Sequence, residues 1–316
     1  MERNQKIPVI AVVGPTASGK TRLSVDLAKH FGGEVISADS MQIYRHMNIG
    51  TAKVTEEEKQ GIPHHMIDIL DPGEKFSVAE YVEMVSGIVS DIHTRGKIPV
   101  LAGGTGLYVD SLLTATAFEP LESDQSLRDE LQREADTNGN EALFAKLQAV
   151  DPEIAKTLHP NNVGRVIRAM EVYLLTGIPM SEHQRRSRLQ PSPYESCIIG
   201  LSYDDRQKLY DRIDLRVDLM VRDGLLEEVK SLAEKGFGQT AAQAIGYKEI
   251  MEYFRSEVSL EEAIETVKRQ SRRYAKRQLT WFRRNPDINW IFPDLETDYD
   301  AVLAKAISIV NKQLLL

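Results

Sequence analysis

The clearest indication of the fold lies near the amino terminus, in Ile7-Pro8-Val9-Ile10-Ala11-Val12-Val13-Gly14-Pro15-Thr16-Ala17-Ser18-Gly19-Lys20-Thr21. Its apolar first half is typical of a buried strand. Residues 14–21 fit the pattern G-x-x-x-x-G-K-[ST], and apolar residues then recur at helical spacing from Thr21 to His30. A strand, a glycine-rich loop and a helix in this order form the setting in which the motif binds phosphate groups.

Strands and helices continue to alternate downstream. Short apolar runs at 34–38 and 98–102 predict two further strands, and the residues between them include a helical repeat. Strand character returns at 197–201, followed by helices within 204–234 and 260–284. This alternation predicts an α/β fold like that of P-loop NTPases, in which helices flank both faces of a parallel sheet.

The pattern changes after Thr114. Between 123 and 187 the apolar residues repeat at helical spacing in three segments, 127–135, 142–150 and 163–175, with no convincing strand. We therefore predict an all-helical insertion domain at 121–191, inside a core domain formed by 1–120 and 192–316.

Composition narrows the class of protein. The chain has 316 residues, of which 42% are hydrophobic and 27% charged, as in an ordinary globular protein. No apolar run approaches the roughly 20 residues of a membrane-spanning helix, and the first six residues lack a signal-peptide apolar region, so we expect a cytoplasmic location without membrane contact. The single cysteine, Cys197, cannot form an internal disulfide and is expected to be a small buried residue.

The phosphate loop predicts a ligand class. Its backbone amides would face a phosphate chain, Lys20 would neutralise that chain, and the Thr21 hydroxyl would bind Mg²⁺. The strand at 98–102 ends in Gly103-Gly104-Thr105-Gly106 rather than in the acid that ATPases place there, and no guanine-reading N-K-x-D is present. The motif therefore indicates a phosphate chain with magnesium without specifying a nucleotide.

Asp39 follows the second predicted strand. The carboxyl ends of parallel strands share one sheet edge, where ligands bind, so Asp39 should lie on the same edge as the phosphate loop. A carboxylate there can take a proton from an acceptor nucleophile or hold Mg²⁺ through a water molecule. Alternatively, Asp39 only caps the next turn.

A basic segment near the carboxyl end reverses the net charge of −8 locally. Eight basic residues and no acid occur at Lys268, Arg269, Arg272, Arg273, Lys276, Arg277, Arg283 and Arg284. On a helical wheel they share one broad face, which suits a nucleic-acid backbone. The alternative is a solvated helix paired with acids upstream, at Glu261, Glu262 and Glu265.

Two other groups have simpler interpretations. Arg212 and Arg216 are four residues apart on a predicted helix, with acids interleaved at Asp211, Asp214 and Asp218, which indicates an ion-pair ladder within that helix. The adjacent histidines His64 and His65 face different directions and have no evident third ligand, so we do not predict a metal site there.

The sequence resembles a known family, the bacterial tRNA dimethylallyltransferases, which are also called isopentenyl-diphosphate:tRNA transferases. The resemblance runs nearly end to end, and several unusual motifs in one order carry it. These motifs are residues 14–21, Ser37-Ala-Asp-Ser-Met-Gln-Ile-Tyr44, Asn48-Ile-Gly-Thr-Ala-Lys53, Gly103-Gly-Thr-Gly-Leu-Tyr108, His159-Pro-Asn-Asn-Val-Gly-Arg165, Ala244-Ile-Gly-Tyr-Lys248 and Lys276-Arg-Gln-Leu-Thr-Trp281.

The resemblance implies transfer of a dimethylallyl group from dimethylallyl diphosphate to the exocyclic amine of adenosine 37 of tRNA. It implies that Asp39 is the general base or orienting acceptor for that amine, and that Thr105 helps to hold the base and substrate. The implied diphosphate-binding residues are Gly14, Pro15, Thr16, Ala17, Ser18, Gly19, Lys20, Thr21 and Arg212.

The resemblance also implies contacts with the anticodon stem-loop of tRNA. We further expect a monomer that uses Mg²⁺. The implied tRNA-binding residues are Asp39, Ser40, Met41, Gln42, Thr105, Arg128, Gly164, Arg165, Val166, Ile167, Arg168, Gln243, Ala244, Ile245, Gly246, Tyr247, Lys248, Lys276, Arg277, Gln278, Trp281 and Arg283.

Two other functions use some of the same features. A P-loop kinase of small molecules would use ATP with the same loop and an acid like Asp39, but it has no need of the basic helix. An RNA-binding module would use the basic helix and keep the phosphate loop only as structure.

Overall fold

The computed structural model describes residues 6–118, 123–187, 191–236, 238 and 240–315. Within these residues the strands form one six-stranded sheet: β1 (Ile7–Val13), β2 (Glu34–Ser37), β3 (His64–His65), β4 (Pro99–Gly103), β5 (Tyr194–Leu201) and β6 (Asn289–Ile291). All pairings are parallel, in the order β3-β2-β4-β1-β5-β6. The predicted α/β class with a parallel sheet is confirmed.

The helices alternate with these strands and fill the segment between β4 and β5. In chain order they are α1 (Lys20–Phe31), α2 (Glu56–Lys59), α3 (Val78–Thr94), α4 (Gly106–Leu113), α5 (Gln125–Asn138), α6 (Asn140–Val150), α7 (Pro152–Ala155), α8 (Val163–Thr176), α9 (Met180–Arg186), α10 (Arg206–Arg222), α11 (Leu225–Lys235), α12 (Tyr247–Phe254), α13 (Leu260–Phe282) and α14 (Tyr299–Leu314).

The structure adds two strands that the sequence pattern does not predict. β3 has two residues and β6 has three, which is too short for an alternating pattern to show. The helical region predicted within 204–234 is two helices, because Gly224 adopts a left-handed conformation with φ 105° between α10 and α11.

The sheet is covered on both faces. Alternate residues of β1 point to opposite sides. Val9 and Val13 pack in one cluster with Tyr81 of α3, whereas Ile10 and Val12 pack in another with Leu23 of α1. The strands therefore bring their carboxyl ends to one edge between these layers.

Cys197 of β5 is fully buried, as predicted. Burial raises the pKa of its thiol to about 12, so the thiol stays protonated and unreactive near neutral pH.

The chain divides into two compact units. The first consists of residues 1–113 and 193–316 and contains the sheet; the second consists of 114–192. The described part of the second unit contains α5 to α9, which pack around a core that includes Leu131, Leu147 and Val166. The predicted insertion, 121–191, falls within this unit, and its first boundary lies outside the described residues.

No helix in the described part of the chain is long and apolar enough to cross a membrane.

Candidate active site

The phosphate loop joins β1 to α1 and depends on close backbone approach. Gly14 has φ 145°, and a Cβ there would lie 2.3 Å from the carbonyl oxygen of Leu201. Gly19, with φ 97°, directly precedes α1, whose start receives no hydrogen bond from a capping side chain. The amides of the first helical turn are therefore left for an anion, as expected of such a loop.

Lys20 is the first residue of α1, and its side chain contacts the loop that precedes the helix. Its Nζ donates a hydrogen bond of 2.6 Å to the carbonyl oxygen of Pro15. Burial and the positive charge of Arg216 lower the pKa of Lys20 to about 7, while Asp39 opposes this shift. A bound anion would supply the negative charge that keeps Lys20 protonated.

One cavity of about 480 Å³ opens beside the loop. Its lining includes Lys20 and Thr21, Asp39 after β2, Arg216 of α10, and Tyr274 and Arg277 of α13. Residues 243–246, from the segment before α12, form another part of the wall. The phosphate loop, the acid and part of the basic helix therefore share one space.

Asp39 has one carboxylate oxygen engaged by the backbone. Its Oδ1 accepts hydrogen bonds from the N–H groups of Met41, at 2.8 Å, and Gln42, at 3.4 Å. Among the described residues, none donates to Oδ2. Asp39 therefore caps the following turn and also offers a second oxygen in the cavity, so the two interpretations of this residue are compatible.

Thr105 supports the turn that carries Asp39. Its Oγ1 accepts the N–H of Ser40 at 3.1 Å, and its own N–H donates to the carbonyl oxygen of Ala38, also at 3.1 Å. Gln42 extends the same support, because its Nε2 donates to the carbonyl oxygens of Thr51 and Ala52 at 3.3 Å. The segments 39–42 and 51–52 therefore form one connected wall.

The prediction of an ion-pair ladder within α10 is wrong. Asp214 pairs with Arg272 at 2.5 Å and Asp218 with Lys268 at 2.7 Å, so these acids tie α10 to α13. Arg216 lines the cavity instead, and burial lowers the pKa of its guanidinium. Its helical spacing with Ile213 and Val217, which also line the cavity, is the signal that could have revealed it.

Arg212 lies against the phosphate loop. Its Nε donates to the carbonyl oxygen of Ala17 at 3.0 Å, and its guanidinium lies 5.5 Å from the ring centroid of Tyr203. Arg212 therefore supports the loop from its backbone side, whereas Arg216 of the same helix lines the cavity.

The basic residues of α13 divide into two sets. Lys268 and Arg272 pair with the acids of α10, and Lys268 also lies 3.4 Å from Glu265. The exposed set consists of Arg269, Arg273, Lys276 and Arg277 of α13, together with Arg283 and Arg284 just after the helix ends. Some of the basic residues predicted to form a cationic surface therefore pair with α10 instead, and the exposed ones are available to bind a polyanion.

Several residues of the implied tRNA-binding set face inward. Gln278 is 5% exposed, and its amide bonds to the phosphate loop and to Gly104. Trp281 Nε1 donates to Asp110 Oδ2 at 2.7 Å. Tyr247 is fully buried, in contrast to the exposed Lys248 beside it.

The second unit holds the remaining arginines of that set. Arg128 and Arg168 both pair with Glu171, at 2.8 and 2.6 Å, and Glu171 is fully buried. Although burial alone would raise the pKa of Glu171, hydrogen bonds from the two arginines hold it below its usual value. Gly164 and Arg165 are exposed, whereas Val166 and Ile167 belong to the core of the unit.

The two adjacent histidines have separate partners. His64 Nδ1 lies 2.8 Å from the carbonyl oxygen of Ile62, and His65 Nε2 lies 2.8 Å from Glu34 Oε2. His64 also lines the cavity, which its sequence position did not indicate.

The chain is similar to known proteins in both sequence and fold. Residues 42–285 match the sequence profile described as IPP transferase. The chain is 51% identical over 297 residues to the tRNA dimethylallyltransferase of Caldanaerobacter subterraneus subsp. tengcongensis, covering 93% of this chain and 94% of that relative. Its structure resembles the full-length tRNA isopentenylpyrophosphate transferase of Bacillus halodurans, with a TM-score of 0.72 and 46% identity over 98% of both chains. It also resembles a eukaryotic dimethylallyltransferase acting on tRNA, with a TM-score of 0.81 and 33% identity over 97% of this chain and 79% of the other.

Proposed function

This chain belongs to the IPP transferase family, and from that membership we propose that it transfers a dimethylallyl group from dimethylallyl diphosphate to N6 of adenosine 37 of tRNA. It is an enzyme that prenylates tRNA. The observation that carries the proposal is the shared cavity, in which the phosphate loop, Asp39, residues 243–246 and Arg277 meet.

In this reaction the bond between C1 of the allyl group and the diphosphate oxygen breaks, and a bond from N6 to C1 forms. Lys20 and Arg216 would stabilise the negative charge that develops on the diphosphate as it leaves. The Oδ2 atom of Asp39 would accept the proton that N6 loses, while its Oδ1 keeps the turn in place. Thr105 would act by holding Ser40 and hence that turn.

The cavity offers oxygen ligands that suit Mg²⁺, namely the hydroxyl of Thr21 and the Oδ2 of Asp39, the latter through a water molecule. When bound, Mg²⁺ would neutralise part of the charge on the diphosphate. We also propose that the protein is a cytoplasmic monomer.

An allylic cation reacts readily with water, so the site must exclude water during transfer. We propose that the diphosphate closes one end of the cavity and that a flipped adenine closes the other. Release of diphosphate by the enzyme should then be slow without tRNA and fast with it. Fast release without tRNA would show that the adenine is not needed to exclude water.

The site and the family membership both argue against the kinase and the RNA-binding module. β4 ends at Gly103 and is followed by Gly104 and Thr105, without the acid that an ATPase would place there. The basic α13 and the family membership favour the transferase over the kinase, and the acid in the cavity favours it over a passive RNA-binding module.

The test is incubation of the protein with unmodified tRNA and radiolabelled dimethylallyl diphosphate, followed by nucleoside analysis. We expect labelled N6-dimethylallyladenosine, and no label in a matched tRNA with guanosine at position 37. ATP with small alcohols serves as the rival substrate pair. Consumption of ATP with no prenylated adenosine would overturn the proposal in favour of the kinase.

A further inference from the structure

The side-chain amide of Gln278 joins two loops that are far apart in the sequence. Its Oε1 accepts the N–H of Thr16 in the phosphate loop at 2.9 Å, across 262 residues. Its Nε2 donates to the carbonyl oxygen of Gly104, which follows β4, at 3.0 Å and across 174 residues. Both ends of the amide are therefore used inside the protein.

The fit at Gly104 is close. A Cβ at this position would lie 2.0 Å from Nε2 of Gln278, so a glycine is needed for the amide to reach the backbone. Gly104 directly precedes Thr105, which holds the N–H of Ser40 beside Asp39. Gln278 therefore contacts the phosphate loop through its Oε1. Through its Nε2 it contacts the residue before Thr105, which supports the turn that carries Asp39.

The position of Gln278 on α13 connects these loops to the exposed basic surface. Tyr274, one turn earlier, and Arg277, the preceding residue, both line the cavity. Lys276 and Arg273 are exposed on the same helix. The helix thus presents cations outward and the amide of Gln278 inward, between the two loops.

We propose that Gln278 is a positioning residue, rather than an RNA contact, that fixes the spacing between the diphosphate loop and the Gly104–Thr105 turn. The inference rests on the proposed function, because the phosphate loop would bind the leaving diphosphate and the Gly104–Thr105 turn supports Asp39, the proposed proton acceptor. Its loss would leave the Thr16 N–H and the Gly104 carbonyl without their partner and would let the two loops separate. A displacement of about 1 Å in such a site costs on the order of a hundredfold in rate.

The first test uses Gln278→Ala and Gln278→Glu. We expect kcat/KM to fall about a hundredfold in Gln278→Ala, with tRNA affinity within about twofold of the original, because no RNA contact is removed. Gln278→Glu keeps an acceptor for Thr16 but sets a carboxylate against the Gly104 carbonyl, so it should also lose activity. A tenfold or larger loss of tRNA affinity with normal kcat would show that Gln278 is an RNA contact and would overturn the proposal.

The second test separates positioning from packing. Gly104→Ala alone should destabilise the protein, because its Cβ meets Nε2 of Gln278. In the double variant Gly104→Ala, Gln278→Ala the new methyl group has room, so the melting temperature should recover relative to Gly104→Ala. Activity should stay low because the two hydrogen bonds are still missing. Recovery of both stability and kcat/KM would show that Gln278 only fills space.

Failure of the role proposed for Gln278 can be distinguished from failure of the proposed function. If the unaltered enzyme forms no prenylated adenosine, the proposed function fails before any variant is compared. If the unaltered enzyme is active and Gln278→Ala keeps full kcat/KM, only the role of Gln278 fails. Binding of inorganic diphosphate with Mg²⁺, measured by calorimetry, adds a readout without catalysis, and we expect it to weaken about tenfold in Gln278→Ala.

Discussion

The phenol of Tyr247 donates a hydrogen bond of 2.6 Å to the carboxylate of Glu228, and that carboxylate also holds a loop of the site. Its two oxygens accept the N–H groups of Asn48, Ile49 and Gly50 at 2.8 to 3.1 Å. The neighbouring residues of that loop line the cavity. One acid on α11 therefore fastens the cavity wall to α12, whose first residue is Tyr247.

Glu228→Gln should weaken this fastening. The amide offers one oxygen in place of a charged carboxylate with two, so some of the three backbone N–H groups lose their acceptor. We expect a loss of about 1 to 3 kcal/mol in stability, measured by denaturant unfolding, and a higher KM for dimethylallyl diphosphate. The matched control is Glu227→Gln, because Glu227 is the exposed neighbour on the same helix and removing its charge should change neither quantity. Equal effects of the two substitutions would contradict the role given to Glu228.

Asp39→Asn separates the two functions of this residue. Asparagine keeps an Oδ1 that can accept the N–H of Met41, so the turn and the melting temperature should be preserved. It cannot accept a proton, so turnover should fall at least about a hundredfold while tRNA still binds. Single-turnover assays and a filter-binding measurement check both points. A fall of less than about threefold would show that Asp39 is only a cap.

Glu171→Gln should affect the second unit through two arginines at once. It removes the charge that pairs with Arg128 and Arg168, whose side chains are roughly one-third exposed, so we expect a loss of about 1 to 3 kcal/mol, below the value for a fully buried pair. The arginines would lose their fixed orientation, and tRNA affinity should fall about tenfold with no change in diphosphate binding.

The control for that substitution is Glu182→Gln, which removes surface ion pairs with Arg185 and Arg186 in the same unit and should leave tRNA affinity unchanged. The pH dependence gives a second check. Since the pKa of Glu171 is lowered on folding, its contribution to stability is present above the usual glutamate pKa of about 4.3 and is lost as the pH falls below it. Glu171→Gln should remove that part of the acid sensitivity, and unchanged acid unfolding would contradict the assignment.

The parts of the fold that the sequence predicts are those with local patterns. The strand, loop and helix around Gly14 to Thr21 are contiguous, so apolar periodicity and the spacing of the motif are sufficient. The position of Asp39 after β2 follows from the rule for parallel strands in the same way. β3 and β6 could not be predicted in this way. They have only two and three residues, which are too few to show an alternating pattern, and they are recognised only by their pairing with β2 and β5.

The parts of the site that the sequence does not predict depend on partners distant in the chain. Arg216 is an ordinary helical arginine until Asp214 and Asp218 are seen to pair with α13. Glu171 gains its role from Arg128, 43 residues earlier, and Gln278 gains its role from Thr16. A buried polar side chain of this kind can be recognised only when the groups that satisfy it are known.

Lys20 should make the binding of dimethylallyl diphosphate depend on pH. Its pKa is lowered to about 7 by burial and by Arg216, so the free enzyme holds a charged lysine below that pH and loses the charge above it. The ligand itself stays ionised in this range, since the second pKa of a phosphate is about 6. Affinity should therefore fall by up to about tenfold per unit as the pH rises above 7, with proton uptake on binding.

Calorimetry without tRNA, in buffers of different ionisation enthalpy between pH 6.5 and about 9, would measure both the affinity and the proton uptake. Lys20→Arg is the matched control, because a guanidinium stays charged throughout and should flatten the pH profile even if it binds less tightly. In Arg216→Gln one positive neighbour is removed, so the pKa of Lys20 should rise and the decline should start at a higher pH, although overall affinity is lower. The same decline in the enzyme and in Lys20→Arg would mean that another group titrates, and Lys20 would then not be the source of the pH dependence.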